Sequence, residues 1–337
     1  MSVWTFKWSH GEGRVHALGG MLCPVWFNLS GNRRIQPFAL FPWANEPLPQ
    51  NEQPLTGLMA GAGGEWPCVP FGTASGQDGQ LWQPSIHGES AHKEWTRIDD
   101  GQDPSSVTLC YRCGEEGPVD MLIREVAGVP GEAAIRCTLK VHVRQPCSLP
   151  VGLHPILRMP LAPRSMSLLP GQFRFLMSYP SEVEPGRDIL APGQVFAALS
   201  SAPIRGGGTT DLTSYPLSEE TESLVQLCGT EGNISVVNSE EGYRLNINWP
   251  PERLPSCLLW ISNGGRLSWP WNGRHFALGI EPVCAAFDLG VAASNGNNPI
   301  YEMGIPTVLN FYPENPESIE YRIRVEEVTA HLHDEPV

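Results

Sequence analysis

Charged residues are scarce in this chain of 337 residues, and their signs are unevenly balanced. Asp, Glu, Lys and Arg make up 17% of the sequence, and 36 acidic residues against 22 basic ones give a formal net charge of −14. An acidic surface repels phosphate groups, so we expect neither a nucleic-acid partner nor docking to anionic membranes. A small uncharged ligand is compatible with this charge.

Long apolar runs are also missing. No segment approaches the ~20 apolar residues that a helix needs to span a bilayer. The opening segment, MSVWTFKWSHGEGRVHALGG, has charged and polar residues where an export signal requires a continuous apolar core. We therefore expect a cytoplasmic protein.

Helical and nucleotide-binding signatures are equally rare. No long stretch places apolar residues at the three- and four-residue spacing of an amphipathic helix. The patterns GxGxxG and GxxxxGK[ST] are absent, which removes support for the usual dinucleotide and P-loop folds. The sequence also has no close HxH pair followed by a Glu, so a cupin-type metal site is disfavoured.

The nine cysteines do not form a recognisable disulfide framework. Their odd number and irregular spacing fit reduced thiols. Cys110 and Cys113 form a CxxC, but they fall in the strand-like run SVTLCYRC, where positions three apart face opposite sides. There is no second CxxC, so we do not expect this pair to bind a metal or to act in redox chemistry.

Alternation with a period of two is the main positive signal. It occurs in IRCTLKVHV (135–143), YRLNINW (243–249) and EYRIRVEEV (320–328), each with one apolar and one polar face. The 35 glycines and 33 prolines are spread along the chain, as expected for many turns between short strands. We predict an all-β protein of antiparallel sheets, with residues 1–337 forming a single domain. The Pro-, Gly- and Ser-rich stretch 178–216 is expected to be a long surface excursion that is either a linker or a lid over a site.

Three segments carry candidate chemistry. The first runs from GEWPCVPFG to IHGESAHKEW, the second is VGLHPILRMP, and the third is WPWNGRHFALGIEPVCAAFD. Each has an ordinary structural explanation when taken alone, since a single His or Trp more often packs or hydrogen-bonds than reacts. Their order along the chain is more informative than any one of them.

That order resembles the aldose 1-epimerases, or galactose mutarotases, and most of all their hexose-6-phosphate branch. The resemblance lies in Pro70-Phe71-Gly72, then His87-Gly88 with Trp95 following, then His154 and finally Glu281, and it covers roughly residues 60–325. It implies a single β-supersandwich that binds a small-molecule sugar. In this family a Glu takes the anomeric proton and a His protonates the ring oxygen, without a metal or organic cofactor.

The resemblance implies Glu281 as the base and His154 as the acid, because both groups can be tuned towards neutral pH. The residues expected to bind substrate are His87, His92, Trp95, Arg158, Trp271 and Arg274. The sequence gives no expectation for the oligomeric state.

The sequence also departs from the family pattern. Ala91 stands where an Arg follows the HG motif, Thr73 follows the early Pro-aromatic-Gly segment in place of an Arg nearby, and Pro155-Ile156 replaces an aromatic pair. Three functions therefore stay open: an epimerase acting on a free or phosphorylated hexose, a non-catalytic sugar-binding protein, and a different isomerase or lyase on the same scaffold.

Overall fold

Strands dominate the computed structural model, which describes residues 2–47, 53–73, 82 and 84–328. It is 45% strand and only 8% helix. The paired strands within both large sheets run antiparallel. The predicted fold class of antiparallel sheets is confirmed.

The first large sheet has nine strands. In spatial order they are Ser214–Tyr215, Met166–Pro170, Asn233–Asn238, Tyr243–Asn248, Glu317–Glu327, Ala134–Val143, Val119–Gly128, Ser106–Arg112 and Thr96–Arg97. The three period-two segments of the sequence all lie here, and Ala134–Val143 alternates between buried and more exposed residues along its length. One face of this sheet is therefore wet, as the alternation predicts.

The second large sheet has eight strands. Seven follow the order Val195–Phe196, Phe175–Ser178, Thr221–Cys228, Ser256–Asn263, Phe276–Cys284, Val151–Leu153 and Pro67–Cys68, and Ile156–Arg158 pairs with Phe276–Cys284 beside them. A four-stranded sheet consists of Val3–Trp8, Gly11–His16, Leu22–Asn28 and Arg34–Ile35, and two-stranded sheets pair Cys147–Leu149 with Leu309–Phe311 and Ala202–Pro203 with Thr209–Thr210. The described helices are Gly290–Asn295 and Pro299–Glu302, and the described 3-10 turns are Ser30–Asn32, Gly57–Ala60, Glu89–His92 and Leu199–Ser201.

The two large sheets share one hydrophobic core, which makes the molecule a sandwich. Leu139 and Ile323 of the nine-stranded sheet belong to the same buried cluster as Leu259 and Ile280 of the eight-stranded sheet. Burying such side chains is worth roughly 1.5–3 kcal/mol each relative to exposure. The inner faces of both sheets are therefore committed to packing.

The eight-stranded sheet is buried on its outer face as well. All eight residues of Ser256–Asn263 are buried. Leu259 and Ile261 point into the core between the sheets, whereas Leu258 and Trp260 belong to a second buried cluster. This second cluster covers the outer face with loops and aromatic side chains, and it surrounds the candidate site.

A buried ion pair joins the loop before Trp66 to the nine-stranded sheet. Glu65 and Arg124 are 0% and 2% exposed. Nη1 of Arg124 donates to Oε1 of Glu65 at 3.1 Å, and Nη2 of Arg124 and the Tyr321 hydroxyl also donate to this carboxylate. The cluster fixes the backbone next to Trp66, whose ring reaches the site.

The segment 178–216 is built from short ordered elements. Val195–Phe196 extends the edge of the eight-stranded sheet, and Ala202–Pro203 pairs with Thr209–Thr210. Leu190 and Leu212 are buried against the main core. The segment is thus packed onto the sandwich, and it also sends Val183 to the wall of the cleft described below.

Cys110 lies within the strand Ser106–Arg112 and Cys113 follows it. All nine cysteines are free thiols. Within the described ranges, no group of three or more His, Cys, Asp or Glu side chains is placed to hold a metal ion. None of the described helices is long and apolar enough to cross a membrane.

Candidate active site

Glu281 lies at the centre of the candidate site because of its register in the strand Phe276–Cys284. Side chains alternate along a strand, so Ile280 enters the core between the sheets while Glu281 faces the outer side. The Glu281 side chain is only 2% exposed. Burial, reinforced by the nearby Asp288 carboxyl, raises the pKa of Glu281 well above its ordinary value.

His154 is brought beside Glu281 by a break between two short strands. Both Val151–Leu153 and Ile156–Arg158 pair with Phe276–Cys284, and the His154-Pro155 dipeptide lies between them. The result is a separation of 3.6 Å between Nε2 of His154 and Oε1 of Glu281. The His154 N–H donates to the carbonyl of Trp66 at 2.9 Å, which anchors the backbone at this point.

The imidazole of His154 is enclosed by aromatic rings. The Trp66 indole stacks on it with ring centroids 4.1 Å apart and an interplanar angle of 19°. Trp260 approaches it edge-on, with a centroid distance of 5.8 Å. Nδ1 of His154 is buried and has no hydrogen-bond partner among the described residues. Packing by Trp66 and Trp260, rather than a hydrogen bond at Nδ1, therefore sets the orientation of the ring.

Burial favours the uncharged form of the His154–Glu281 pair. Desolvation, followed by the influence of His87, lowers the pKa of His154 well below its ordinary value, while burial raises the pKa of Glu281. The two shifts point to a carboxylic acid beside a neutral imidazole, with one titrating proton between them. Such a pair has both a proton to give and a lone pair to accept one.

His87 is the third member of the polar cluster. Its ring lies 4.9 Å from that of His154 at an angle of 89°. Nδ1 of His87 accepts the backbone N–H of Gly72 at 3.4 Å, which leaves Nε2 as the N–H donor of the neutral ring. Desolvation, followed by the charges of His92 and Arg266, lowers the pKa of His87 to about 3. His87 is thus a neutral hydrogen-bond donor at ordinary pH.

The backbone conformation at position 88 requires a glycine directly after His87. The Gly88 φ of +84° with ψ of 159° is a backbone conformation that essentially only glycine adopts. A Cβ at this position would lie 2.2 Å from the carbonyl oxygen of Val69. The HG dipeptide therefore turns the chain tightly against Val69 and directs the His87 ring inward.

These groups open into one cleft with an empty volume of about 630 Å³, which includes space open to solvent. Five of its described lining residues carry polar functional groups on ionisable side chains: His87, His154, Arg266, Glu281 and Asp288. The remaining walls are aliphatic or aromatic and consist of Phe41, Leu58, Met59, Trp66, Ile86, Val183, Leu224, Leu258, Trp260 and Trp271. An apolar cleft with a few converging polar groups is the usual form of a small-molecule site.

Asp288 supplies a second carboxyl to the cleft. Its Oδ1 is buried and has no hydrogen-bond partner within the part of the chain that the structure describes. Burial raises the pKa of Asp288, against the opposing effects of Tyr179, its own backbone N–H and Arg266. The free oxygen is available to a ligand hydroxyl.

The residues proposed from the sequence fall into two groups. Glu281, His154, His87 and Trp271 all line the cleft. The other four lie outside its described lining and already have partners of their own.

His92 and Trp95 belong to the supporting structure. Nδ1 of His92 accepts the Leu58 N–H at 3.1 Å, and its Nε2 contacts the Ile86 carbonyl at 2.8 Å, so this ring ties two turns together. Trp95 is 2% exposed within the main core, and its Nε1 donates to the Ser90 carbonyl at 2.9 Å.

The two arginines are held by surface carboxylates. Nε of Arg158 donates to the Gln36 carbonyl at 2.6 Å and its Nη2 pairs with Glu241. Arg274 pairs with Glu46, with Nη2–Oε2 at 3.0 Å. Sequence spacing placed these side chains near the site, but their charges are already compensated elsewhere.

Arg266, Asp288, Trp66 and Trp260 are site residues that sequence reasoning did not single out. Trp66 and Asp288 lie in the very segments that carried the candidate motifs, so their proximity to His154 and Glu281 was available as a signal. Arg266 follows Gly264-Gly265, and such a glycine pair marks a close backbone approach. Nothing in the local pattern of Trp260 separates it from an ordinary core residue.

The two packed antiparallel sheets have the fold of a galactose mutarotase-like β-sandwich. No protein-family profile and no curated protein matches this sequence. Solved structures, in contrast, match it over nearly its full length.

The chain is similar in structure to a protein from Escherichia coli K12 that carries the provisional name aldose 1-epimerase, with a TM-score of 0.67, 15% sequence identity, and coverage of 97% of this chain and 99% of that one. A galactose mutarotase-like protein from Lactobacillus casei ATCC 334 gives a TM-score of 0.63 and 12% identity over 96% of this chain and 100% of the other. A galactose mutarotase-like protein from Clostridium acetobutylicum gives a TM-score of 0.57 and 14% identity over 96% of this chain and 95% of the other.

At these identities the likeness establishes the fold. It agrees with the resemblance inferred from the ordered motifs, and it does not separate the hexose-6-phosphate branch from the others.

Proposed function

We propose that this protein is an aldose 1-epimerase-type isomerase that interconverts the α and β anomers of a free or phosphorylated hexose. The observation that carries the proposal is the 3.6 Å separation between the His154 imidazole and the Glu281 carboxyl inside an apolar cleft. Anomer exchange requires one acid and one base that reach the O1 and O5 atoms of the same sugar. The proposal is supported by the proximity of one candidate acid, His154, to one candidate base, Glu281, on a fold shared with a protein named for that activity.

In the proposed mechanism, Glu281 is the base and His154 the acid. The resting pair holds one proton, which burial favours on Glu281; moving it to Nε2 of His154 gives a carboxylate and an imidazolium. Glu281 then takes the proton from the anomeric hydroxyl O1, the C1–O5 bond breaks as C1=O1 forms, and O5 takes the proton from His154. Rotation about C1–C2 exposes the other carbonyl face, and the reverse steps close the ring.

The remaining polar groups orient the sugar. His87 donates from Nε2 to a hydroxyl, and the free Oδ1 of Asp288 accepts from another. Trp271 provides an apolar wall against which a sugar face packs. These contacts hold C1 and O5 within reach of the reacting pair, which is the positional contribution to catalysis.

The test is anomer exchange with the intact protein. Solutions of α-glucose, α-galactose and α-glucose 6-phosphate are followed by polarimetry or NMR exchange, with wild type, Glu281→Gln, His154→Gln and the surface control Arg274→Gln. Acceleration by wild type and Arg274→Gln that disappears in the other two variants supports the proposal. Equal acceleration by Glu281→Gln overturns the acid–base assignment.

A non-catalytic sugar-binding protein is the second candidate. It is favoured by the shifts that keep both His154 and Glu281 uncharged, since a neutral pair has no carboxylate ready to act as base. This candidate predicts saturable sugar binding in a titration followed by NMR or calorimetry, with anomer exchange at the uncatalysed rate.

A further inference from the structure

Arg266 lies in the cleft wall, and nothing in the sequence motifs assigns it a role. It is the one Lys or Arg among the described lining residues of the cleft. The stretches outside the described ranges (residue 1, 48–52, 74–81, 83 and 329–337) contain no Lys or Arg at all. Arg266 is therefore the basic side chain that a ligand in this cleft would contact.

The turn before Arg266 places the Arg266 side chain against Glu222. Gly264 has φ of +73° and forms a bridge with Thr221 on the neighbouring strand. A Cβ on Gly265 would lie 2.6 Å from the Glu222 nitrogen and 2.5 Å from the Thr221 carbonyl carbon. Only glycine permits this approach, and it places Nε of Arg266 3.0 Å from Oε1 of Glu222.

The guanidinium is held in place from both sides. Its Cζ lies 5.3 Å from the Trp260 ring centroid and 4.9 Å from the Trp271 ring centroid. A cation over an indole face gains ~0.5–2 kcal/mol, depending on how far it is desolvated. The guanidinium of Arg266 is thus held against the indole rings of Trp260 and Trp271.

The charge of Arg266 is compensated by Glu222, which is not among the described lining residues of the cleft. Glu222 is 0% exposed and also accepts hydrogen bonds from Nε1 of Trp260 and from Oγ of Ser262, the latter at 2.9 Å. Its contact with Arg266 is an ion pair in which the Nε–H is not aligned with the oxygen. The two Nη groups donate to no acceptor among the described residues, so they are free for a ligand.

From this arrangement we infer that Arg266, neutralised by Glu222, is the specificity-determining residue that makes the site select uncharged sugars over sugar phosphates, an inference that rests on the proposed function. The two free Nη groups lie in one plane and can each donate to a hydroxyl of the sugar. A phosphate, which carries about −1.5 to −2 charges at neutral pH, would meet a cation that is already paired with Glu222.

The experiment compares glucose with glucose 6-phosphate, using dissociation constants from calorimetry or NMR titration alongside anomer exchange. The variants are Glu222→Gln, Arg266→Lys and Arg266→Met, with the surface pair Glu46→Gln and Arg274→Met as matched controls. Circular dichroism and thermal unfolding check that each variant is folded.

We expect wild type to bind glucose at least about tenfold more tightly than glucose 6-phosphate, a ratio that corresponds to about 1.4 kcal/mol. Glu222→Gln leaves Arg266 uncompensated and shifts the ratio towards the phosphate. Arg266→Met and Arg266→Lys weaken glucose binding, because a fork of donors is lost, and the surface controls change neither ligand.

Equal or preferred binding of glucose 6-phosphate by wild type would overturn the inference, even if anomer exchange is fast and the proposed function stands. If Glu222→Gln does not fold, the wild-type ratio and the two Arg266 variants still decide the matter. Normal glucose binding by Arg266→Met would also contradict it. Binding preferences as expected, without anomer exchange, would refute the proposed catalysis while leaving the role of Arg266 supported.

Discussion

Nε2 of His154 and Oε1 of Glu281 lie 3.6 Å apart, and their side chains are 6% and 2% exposed. The separation is longer than a hydrogen bond, and it is set by strand register, since both segments that flank His154 pair with the strand of Glu281. This relationship makes the acid–base roles testable by single substitutions.

Glu281→Gln removes the proposed base while keeping the size and most of the packing of the side chain. We expect the anomer-exchange rate above background to fall by ~10²–10⁴-fold, the usual contribution of a general base. NMR exchange at several enzyme concentrations measures it, and circular dichroism shows whether the fold is kept. A variant with at least half of the wild-type rate would be incompatible with the assignment.

The same substitution should alter the pH dependence of stability. The folded-state pKa of Glu281 is raised, so the unfolded chain loses this proton first as the pH rises above about 4.5. Wild type therefore loses stability from this group as pH rises through the folded pKa, and Glu281→Gln does not. The free energy of unfolding of the variant, relative to wild type, should increase from pH 4.5 to pH 8 in urea titrations.

His87 should have the opposite pH effect. Its folded-state pKa is lowered to about 3, so between about 6.5 and 3 the unfolded chain binds a proton that the folded chain refuses. Its contribution to stability is present above pH 6.5 and is lost as the pH falls. His87→Gln should flatten this part of the stability curve, whereas His10→Gln, in a surface turn, serves as the control. An unchanged slope in His87→Gln would argue against the buried, neutral ring.

Gly88→Ala tests the tight turn that directs His87. The added Cβ would overlap the Val69 carbonyl at 2.2 Å in a backbone conformation that disfavours side chains. We expect a loss of a few kcal/mol of stability, since such strain costs of order 1–3 kcal/mol before the overlap is counted. Gly131→Ala is the matched control, because its φ is +78° but nothing lies within 4 Å of a new Cβ. Equal losses in both variants would show that the Val69 contact has no effect.

The buried pair of Glu65 and Arg124 offers a stability test away from the cleft. Arg124→Met leaves the Glu65 carboxylate buried with only the Tyr321 hydroxyl as partner, and we expect a loss of ~3–5 kcal/mol. The double variant Glu65→Gln with Arg124→Met removes the stranded charge and should recover part of that loss. Denaturant unfolding of the four members of this cycle gives the coupling, and a double variant less stable than Arg124→Met alone would contradict the expectation.

The alternating strands and the ordered motifs were readable in the sequence because each depends on local spacing. Ala134–Val143 alternates since one face of its sheet is wet. Thr221–Cys228 does not, because its sheet is covered on both faces and all eight residues are buried. Polar residues such as Glu222 and Gln226 inside that strand look misplaced until their partners Arg266 and Phe287 are seen.

The composition of the site required the tertiary structure. Arg266 and Glu222 are separated by 44 positions and meet because the strand Ser256–Asn263, which precedes Arg266, pairs with the strand that contains Glu222. Conversely, Arg158 and Arg274 lie close to His154 and Glu281 in sequence, yet their side chains pair with Glu241 and Glu46. Sequence proximity to a motif is therefore a weaker guide than the face of the strand on which a residue lies.

The double coverage of the eight-stranded sheet has a consequence for how such a protein evolves. Along Phe276–Cys284, Leu278 and Ile280 pack between the sheets, whereas Glu281 lies on the other face and lines the cleft. Selection on ligand preference can therefore act at position 281 while its neighbours preserve the sandwich.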